Sequence, residues 1–172
     1  AEKHELVGGD IHGMVGGALG HAWITGNITA ALRSRLRRPC FVLSADVKVR
    51  VDSAGSVYYP DVVVACTAQD LRATVLRDPV LVVEVLSPAT AAFDRRTKRA
   101  HYALIGSVQG VLLVESEQRR VELDRRDGDG WIRETVTGTG LLDLPGLGVS
   151  LDLEEIYADI PLPPPGEEPG GG

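Results

Sequence analysis

The stretch from residue 79 to residue 102 decides the fold, and it reads PVLVVEVLSPATAAFDRRTKRAHY. Its first part, residues 80–83, is a continuous apolar run, which predicts a buried strand. Glu84 interrupts the run, but Val85 and Leu86 continue it, so a carboxylate lies inside a strand that should be buried. Burying a carboxylate is costly unless it is paired or binds a metal. Glu84 is therefore a candidate functional residue.

A turn and a helix follow this strand. The pair Ser87-Pro88 is expected to end the strand and to open a helix, with Ser87 as the cap and Pro88 at the first helical position. Within the helix, predicted over about residues 90–105, Asp94 and Lys98 are four residues apart and share a face. Alone, these two residues are most simply an exposed ion pair. Together with a strand carboxylate just before them, they indicate a site.

Asp61 is a second candidate acid. It follows Pro60 and begins an apolar run 23 residues before Glu84. Alone it is most simply a turn or strand-start residue. If the two strands are neighbours, however, both carboxylates can converge on one Mg²⁺, which takes a few carboxylate oxygens and keeps several waters. Lys98 would then orient or activate the attacking water and offset the negative charge that develops in the transition state.

The rest of the sequence alternates between strand and helix patterns. A strand, helix and strand over residues 79–115 predict a parallel right-handed crossover. Residues 161–172 are rich in proline and glycine and are predicted to be unstructured, which leaves residues 1–160 as a single domain. The remaining predicted elements are a hairpin over 5–14, a helix over about 21–36, strands over 40–43, 46–51 and 57–66, a polar connection over 69–78, a hairpin of 120–124 and 131–137, a short strand over 146–151 and a helical turn over 152–157.

Composition limits the classes of function. No apolar stretch is long enough to cross a membrane, so no membrane partner is expected. The two cysteines, Cys40 and Cys66, lack metal-ligand spacing, and we interpret them as buried thiols of a cytoplasmic protein. A net charge of −6 argues against a broad, non-specific nucleic-acid coat. It leaves room for a nuclease, because acidic side chains that bind a metal count as negative until the metal arrives.

Three motifs together resemble the Uma-type family, bacterial proteins described as "putative restriction endonucleases" of the PD-(D/E)XK nuclease superfamily. The resemblance covers most of residues 4–115 and includes the opening hairpin. Because family members commonly begin with a further short helix and this chain opens without methionine, we expect a segment before residue 1. The motifs are Tyr59-Pro60-Asp61-Val62-Val63-Val64, Glu84-Val85-Leu86-Ser87-Pro88-Ala89-Thr90 and Asp94-x-x-x-Lys98-x-x-x-Tyr102.

The resemblance implies an α+β (α/β) fold of the restriction-endonuclease type, a mixed β-sheet flanked by helices with an N-terminal hairpin. By position, Asp61 and Glu84 match the metal-binding catalytic acids. The usual lysine two residues after the second acid is Leu86 here, and the family pattern implies that Lys98 supplies the amine instead. Mg²⁺, with Mn²⁺ as a possible substitute, is the implied cofactor, and no organic cofactor is expected.

Further residues are implied as contributors to the site or to substrate binding. DNA is the implied substrate, and a homodimer is expected because two strands need two active sites. The implied accessory site residues are Glu5, His21, Asp46 and Asp94. Residues with a weaker implied role in contacting flanking phosphates are Arg95, Arg96 and Arg99.

Two functions remain open from the sequence. The first is Mg²⁺-dependent hydrolysis of DNA phosphodiester bonds. The second is a nuclease-fold module that binds or interacts but has lost catalysis, which the acidic net charge and the displaced lysine support. In that case Glu84 would be a buried carboxylate that backbone amides or Lys98 satisfy.

Overall fold

A computed structural model of the chain describes residues 4–13 and 18–162. The strands are β1 (His4–Val7), β2 (Asp10–Gly13), β3 (Phe41–Ser44), β4 (Lys48–Val51), β5 (Ser56–Tyr58), β6 (Val62–Ala65), β7 (Val75–Leu76), β8 (Pro79–Leu86), β9 (Gly110–Glu115), β10 (Arg120–Asp127), β11 (Gly130–Thr137), β12 (Leu141–Leu144) and β13 (Val149–Asp152). The helices are α1 (Leu19–Arg35), α2 (Ala91–Phe93), α3 (Arg99–Ala103) and α4 (Leu153–Ile156).

A π-helical turn over Asp94–Lys98 joins α2 to α3, so residues 91–103 form one continuous helical segment, called the central helix below. Among the described residues, no helix has both the length and the apolar character needed to span a membrane.

The strands form two larger sheets and one hairpin pair. The first sheet has six strands in the order β11-β10-β9-β8-β6-β3, and only β8 and β9 are parallel neighbours within it. The second has five strands in the order β2-β1-β5-β4-β7, and β4 and β7 are parallel. The last two strands, β12 and β13, pair with each other. This mixed arrangement of sheets and helices confirms the predicted α+β class.

Strand β8 lies inside the six-stranded sheet, as its apolar sequence predicts. It pairs antiparallel with β6, with Val62 opposite Val83, so the strands that carry the two candidate acids are neighbours as predicted. On its other side β8 pairs in parallel with β9, which the chain reaches through the central helix. The parallel crossover is therefore confirmed.

Each face of the six-stranded sheet covers a separate hydrophobic core. The first core lies under α1, whose Ile24 and Ile28 pack with Val83 of β8. The second contains Val82 of β8 and Tyr102 of the central helix. Because side chains alternate along a strand, Glu84 shares the face of Val82 and is directed toward the central helix. The sheet therefore determines which layer supplies the partners of Glu84.

Several predicted boundaries are wrong, and the cause is local chain geometry. The central helix begins at Ala91, within one residue of its predicted start, but Ser87 and Pro88 are not its cap and first residue. Residues 88–90 instead form a turn in which the Ser87 hydroxyl lies 3.0 Å from that of Thr90. Strand β7 lies within the predicted polar connection, and β12 was not predicted. The predicted strand over 57–66 is split at Pro60 into β5 and β6, which belong to different sheets.

The described residues extend two positions into the predicted C-terminal tail, residues 161–172. Leu162 still packs against the first core, and residues 163–172 lie outside the described residues, so the prediction that they are unstructured stays a prediction.

The two cysteines correct a prediction. Cys40 and Cys66 are joined in a disulfide and are only half-buried, so they are not buried free thiols. The reason is the register of β3 and β6, in which Phe41 lies opposite Ala65. Extending that register by one residue places the two cysteines directly opposite each other on the same face. Their separation of 26 residues along the chain concealed this pairing.

Asn27 connects α1 to the C-terminal part of the chain. Its side-chain amide donates hydrogen bonds of 3.1 Å to the carbonyl oxygens of Ile156 and Ala158, at the end of α4. Arg35, two turns further along α1, contacts Glu155 of α4 at 2.7 Å. The C-terminal segment is therefore attached to α1 by polar contacts as well as by the first core.

We expect Asn27→Ala to lower the free energy of unfolding by about 1–2 kcal/mol, because two partly buried carbonyl groups lose their donor. The measurement is urea denaturation followed by circular dichroism. Arg33→Ala is the control, since Arg33 is an exposed residue of the same helix, and a change within about 0.5 kcal/mol is expected. Equal losses for the two variants would contradict the assigned role of Asn27.

Candidate active site

The ammonium group of Lys98 lies among three carboxylates. Its Nζ is 2.9 Å from Glu5 Oε1, 3.3 Å from Asp94 Oδ1 and 3.6 Å from Glu84 Oε1. All four residues are at most 7% exposed. The interpretation of Asp94 and Lys98 as an exposed surface pair is therefore wrong, and the two belong to a buried charged cluster.

Three separate elements deliver these groups. Asp94 and Lys98 begin and end the π-helical turn of the central helix, which keeps them on one face. Glu84 comes from β8, in the middle of the larger sheet. Glu5 comes from β1, and its Oε1 also accepts a hydrogen bond of 3.2 Å from the backbone N–H of Tyr59. The N-terminal hairpin is therefore part of the site.

Burial and the neighbouring charges shift the pKa values of Glu84 and Lys98 in this cluster. Burial raises the pKa of Glu84 well above its ordinary value; Lys98 opposes the shift, and the nearby Asp61 and Asp94 add to it. Burial lowers the pKa of Lys98, but Glu84, Asp94 and Glu5 together raise it by more. Lys98 is thus protonated at neutral pH, while one ammonium is shared by more carboxylates than it can neutralise.

Asp61 lies beside this cluster with His21. Its Oδ2 accepts a hydrogen bond of 2.7 Å from the backbone N–H of Val85 and lies 3.2 Å from His21 Nε2. One step beyond the Val62–Val83 pair, the register of β6 and β8 brings Asp61 opposite Glu84. The hydrogen bond that His21 donates to Asp61 is the largest cause of the raised pKa of His21, and burial opposes it.

Tyr102 is a site residue to which the sequence assigned no role. Its hydroxyl donates a 2.6 Å hydrogen bond to Glu84 Oε1, and its ring meets that of Tyr58 edge-on at 5.5 Å between centroids. The Tyr58 ring also lies 5.6 Å from Lys98 Nζ. The sequence did contain a signal for Tyr102, because Asp94, Lys98 and Tyr102 are spaced four residues apart and therefore lie on one face of a helix.

Other predicted site residues lie elsewhere. Asp46 is exposed and lines a separate groove. Arg95 and Arg99 lie on another flank of the central helix, where both contact Glu122. Arg96 is exposed on that segment, so the role of these arginines in nucleic-acid binding stays a prediction. Leu86 is buried in the second core, as expected for a position that does not supply the amine.

The donor set fits a hard divalent cation held by few protein ligands. Within residues 4–13 and 18–162, no three His, Cys, Asp or Glu side chains already surround one metal position. Mg²⁺ needs only one or two carboxylates, because it keeps several waters. Asp61 Oδ1 and Glu84 Oε2 make no hydrogen bond in this part of the chain, and Asp94 Oδ1 is buried without one. Oxygen ligands from adjoining strands are therefore available.

We expect Asp61→Asn to lower the pKa of His21, because the variant removes the carboxylate that chiefly raises it while burial continues to lower it. The measurement is an NMR titration of the imidazole resonances in EDTA. Asp129→Asn, in the exposed turn between β10 and β11, is the control and should leave the pKa of His21 unchanged. The assignment of Asp61 as the cause fails if both variants give the same pKa for His21.

We expect Tyr102→Phe to lower the free energy of unfolding by about 1–3 kcal/mol, because Glu84 Oε1 loses a buried donor. Urea denaturation measures the change, and Tyr59→Phe is the matched control, since no hydrogen bond of the Tyr59 hydroxyl is found within the described part of the chain. In a Glu84→Gln background the cost of Tyr102→Phe should be smaller. An undiminished cost in that background would show that the hydroxyl stabilises something other than Glu84.

Comparisons with known proteins identify the family of the chain. A model of the family Uma2, described as "Putative restriction endonuclease", matches residues 1–154. An uncharacterized protein of Synechocystis sp. is 33% identical over 162 residues, covering 92% of this chain and 85% of that protein. A second one is 29% identical over 142 residues, covering 80% of each.

The fold is also similar to that of a solved structure. This is a crystal structure from Anabaena variabilis described as a "putative nuclease belonging to DUF820", with a TM-score of 0.75 and 16% identity over 90% of this chain and 89% of that chain. The matched range includes every candidate site residue named above, from Glu5 to Tyr102. The chain therefore belongs to the Uma2 family and has a nuclease-like fold.

Proposed function

We propose that this protein is a Mg²⁺-dependent endonuclease that hydrolyses phosphodiester bonds of DNA. The observation that supports this best is the 3.6 Å contact between Lys98 Nζ and Glu84, beside Asp61 on the adjoining strand. Two acids and an amine around one point are what metal-assisted phosphodiester hydrolysis requires. Membership of the Uma2 family supports the same reaction class.

Asp61 and Glu84 would hold the metal through the carboxylate oxygens that have no hydrogen bond in the described part of the chain. When bound, Mg²⁺ polarises the phosphate and lowers the pKa of a coordinated water. His21 and the backbone N–H of Val85 both contact Oδ2 of Asp61, and together they orient that carboxylate. Tyr102 does the same for Glu84 through Oε1. The two acids are thus held in place by neighbours that leave one oxygen of each available.

Lys98 acts in this proposal as a fixed positive charge. Its raised pKa keeps it protonated, so it does not accept a proton from water but stabilises the negative charge that develops on the phosphate. Glu84, as a ligand of the proposed metal, would be shared between the metal and Lys98. Glu5 and Asp94, at 2.9 and 3.3 Å, keep the ammonium in place when that happens.

The remaining predictions belong to the same proposal. Mn²⁺ is expected to replace Mg²⁺, because both prefer oxygen ligands. A homodimer is expected because cleavage of a duplex needs two active sites.

We expect the wild-type protein to nick supercoiled plasmid DNA in Mg²⁺ or Mn²⁺ and to lose this activity in EDTA. Asp61→Ala, Glu84→Ala and Lys98→Ala should each lower the rate at least about 100-fold, the usual cost of removing a group that stabilises transition-state charge. The measurement is gel electrophoresis of plasmid DNA over time. Asp129→Ala is the matched control and should cleave like the wild type.

Calorimetry with Mg²⁺ separates metal binding from the later steps. Asp61→Ala and Glu84→Ala should lose the binding heat, whereas Lys98→Ala should keep it. Equal binding by all variants would contradict the assignment of the ligands. Metal binding without cleavage by the wild type would favour the catalytically inactive module, and cleavage that survives Lys98→Ala would point to contamination or another catalytic residue.

A further inference from the structure

A cavity of about 440 Å³ lies beside the central helix, on a different flank from the one that carries Asp94 and Lys98. Its volume is within the range of small-ligand pockets, roughly 300–1,000 Å³. It is called the arginine cavity below and is open to solvent between the helix and β11. The lining residues that matter here are Arg95, Arg96, Arg99, Asp124, Trp131 and Arg133.

The arginine cavity carries an excess of positive charge. Four of its lining residues are arginines and one is a carboxylate. Arg133 Nε is 2.7 Å from Asp124 Oδ1, and Arg99 also contacts Asp124. Arg96 is exposed and has no ion pair in the described part of the chain. In a chain with a net charge of −6, this local excess identifies a site suited to anions.

Carboxylates behind the cavity fix the arginine side chains. Arg95 contacts Glu115 and Glu122, and Arg99 contacts Glu122 as well as Asp124. Both glutamates come from the sheet that forms the base of the cavity, and Glu122 is buried. Arg133 is held in the same way by Asp124. A guanidinium group held like this needs little reordering to bind a phosphate, whose oxygens match its fork-shaped geometry.

Trp131 adds an aromatic surface to the same cavity. Arg126 lies over its ring, with Cζ 4.6 Å from the centroid. Arg126 is itself fixed, because its guanidinium donates hydrogen bonds to the carbonyl oxygens of Ala103, at the end of the central helix, and of Ile105 and Val108 beyond it. Trp131 is therefore held beside the arginines. An aromatic ring on which a base can stack, next to cations for the phosphate, is the combination that binds nucleotides.

We infer that the arginine cavity binds one nucleotide unit, with its phosphate on Arg96 and Arg133 and its base against Trp131. Arg96 and Lys98 are two residues apart in the same helical segment, so the arginine cavity lies close to the candidate active site along the chain. Where the nucleotide belongs to a strand, this inference rests on the proposed function, and it then names a contact that flanks the cleaved bond. A free nucleotide has the same chemistry, so the test includes both sources.

The experiment uses the intrinsic fluorescence of Trp131 in a Trp23→Phe variant, since the chain has only two tryptophans and Trp23 is not among the cavity residues. The protein is titrated in EDTA with 5′-dTMP and with a single-stranded oligothymidylate, and inorganic phosphate is added as a competitor. We expect quenching by both ligands, tighter binding of the oligonucleotide and relief of quenching by phosphate. Arg96→Ala and Arg133→Ala should each weaken binding about tenfold, as expected for the loss of a charged hydrogen bond.

Arg125→Ala is the matched control, because Arg125 is an exposed arginine of β10 whose side chain lies on the face opposite that of Asp124. Arg96→Ala also guards against a folding artefact, since Arg96 is exposed and its removal breaks no ion pair found in the described residues. The inference is overturned if neither ligand quenches Trp131, or if Arg96→Ala and Arg125→Ala bind alike. Binding of dTMP without tighter binding of the oligonucleotide would overturn the assignment to a strand.

The fluorescence titration is independent of the nuclease assay, because it involves neither a metal nor cleavage of DNA. If plasmid cleavage is absent but Trp131 responds as expected, the proposed function fails and the nucleotide site stands. If cleavage is present and Arg96→Ala does not alter binding, only the arginine cavity loses its role.

Discussion

The structure depends on one buried ammonium group that three carboxylates share. Glu5, Glu84 and Asp94 come from the N-terminal hairpin, the middle of the larger sheet and the central helix, and Lys98 contacts all three. One positive charge cannot neutralise three negative ones at low dielectric, so the cluster favours the uptake of a proton or of another cation. The same imbalance that costs stability would favour binding of the proposed metal, which links the packing of three elements to the proposed chemistry.

The sheet geometry explains why the amine comes from the helix. Asp61 and Glu84 lie side by side because β6 and β8 are antiparallel neighbours, and their shared face is covered by the central helix. Leu86 lies on this face too, but it is buried in the second core, where a lysine would be costly. Lys98 approaches from the covering layer with its ammonium at the level of Glu84. A lysine on the central helix, in place of one at position 86 of the strand, can thus place its ammonium group beside Glu84.

The residue pattern predicted the features that depend on short-range periodicity. The apolar run of β8 predicted its burial, and the spacing of Asp94 and Lys98 predicted a shared helical face. The partners of these residues depend on contacts far apart in the chain, and periodicity does not encode them. For that reason the Cys40–Cys66 pair and the hydrogen bond from Tyr102 to Glu84 were not foreseen.

The central helix separates two opposite electrostatic environments, and this resolves the apparent conflict between an acidic chain and the proposed nucleic-acid substrate. The face with Asp94 and Lys98 meets an excess of carboxylates, which suits a divalent cation. The flank with Arg95, Arg96 and Arg99 meets fewer acids than arginines, which suits phosphates. The net charge of the chain is a sum over both environments, so it indicates neither of them. Because electrostatic attraction at close range depends on the nearest charges, a strand can be held on one flank while a cation is held on the other face.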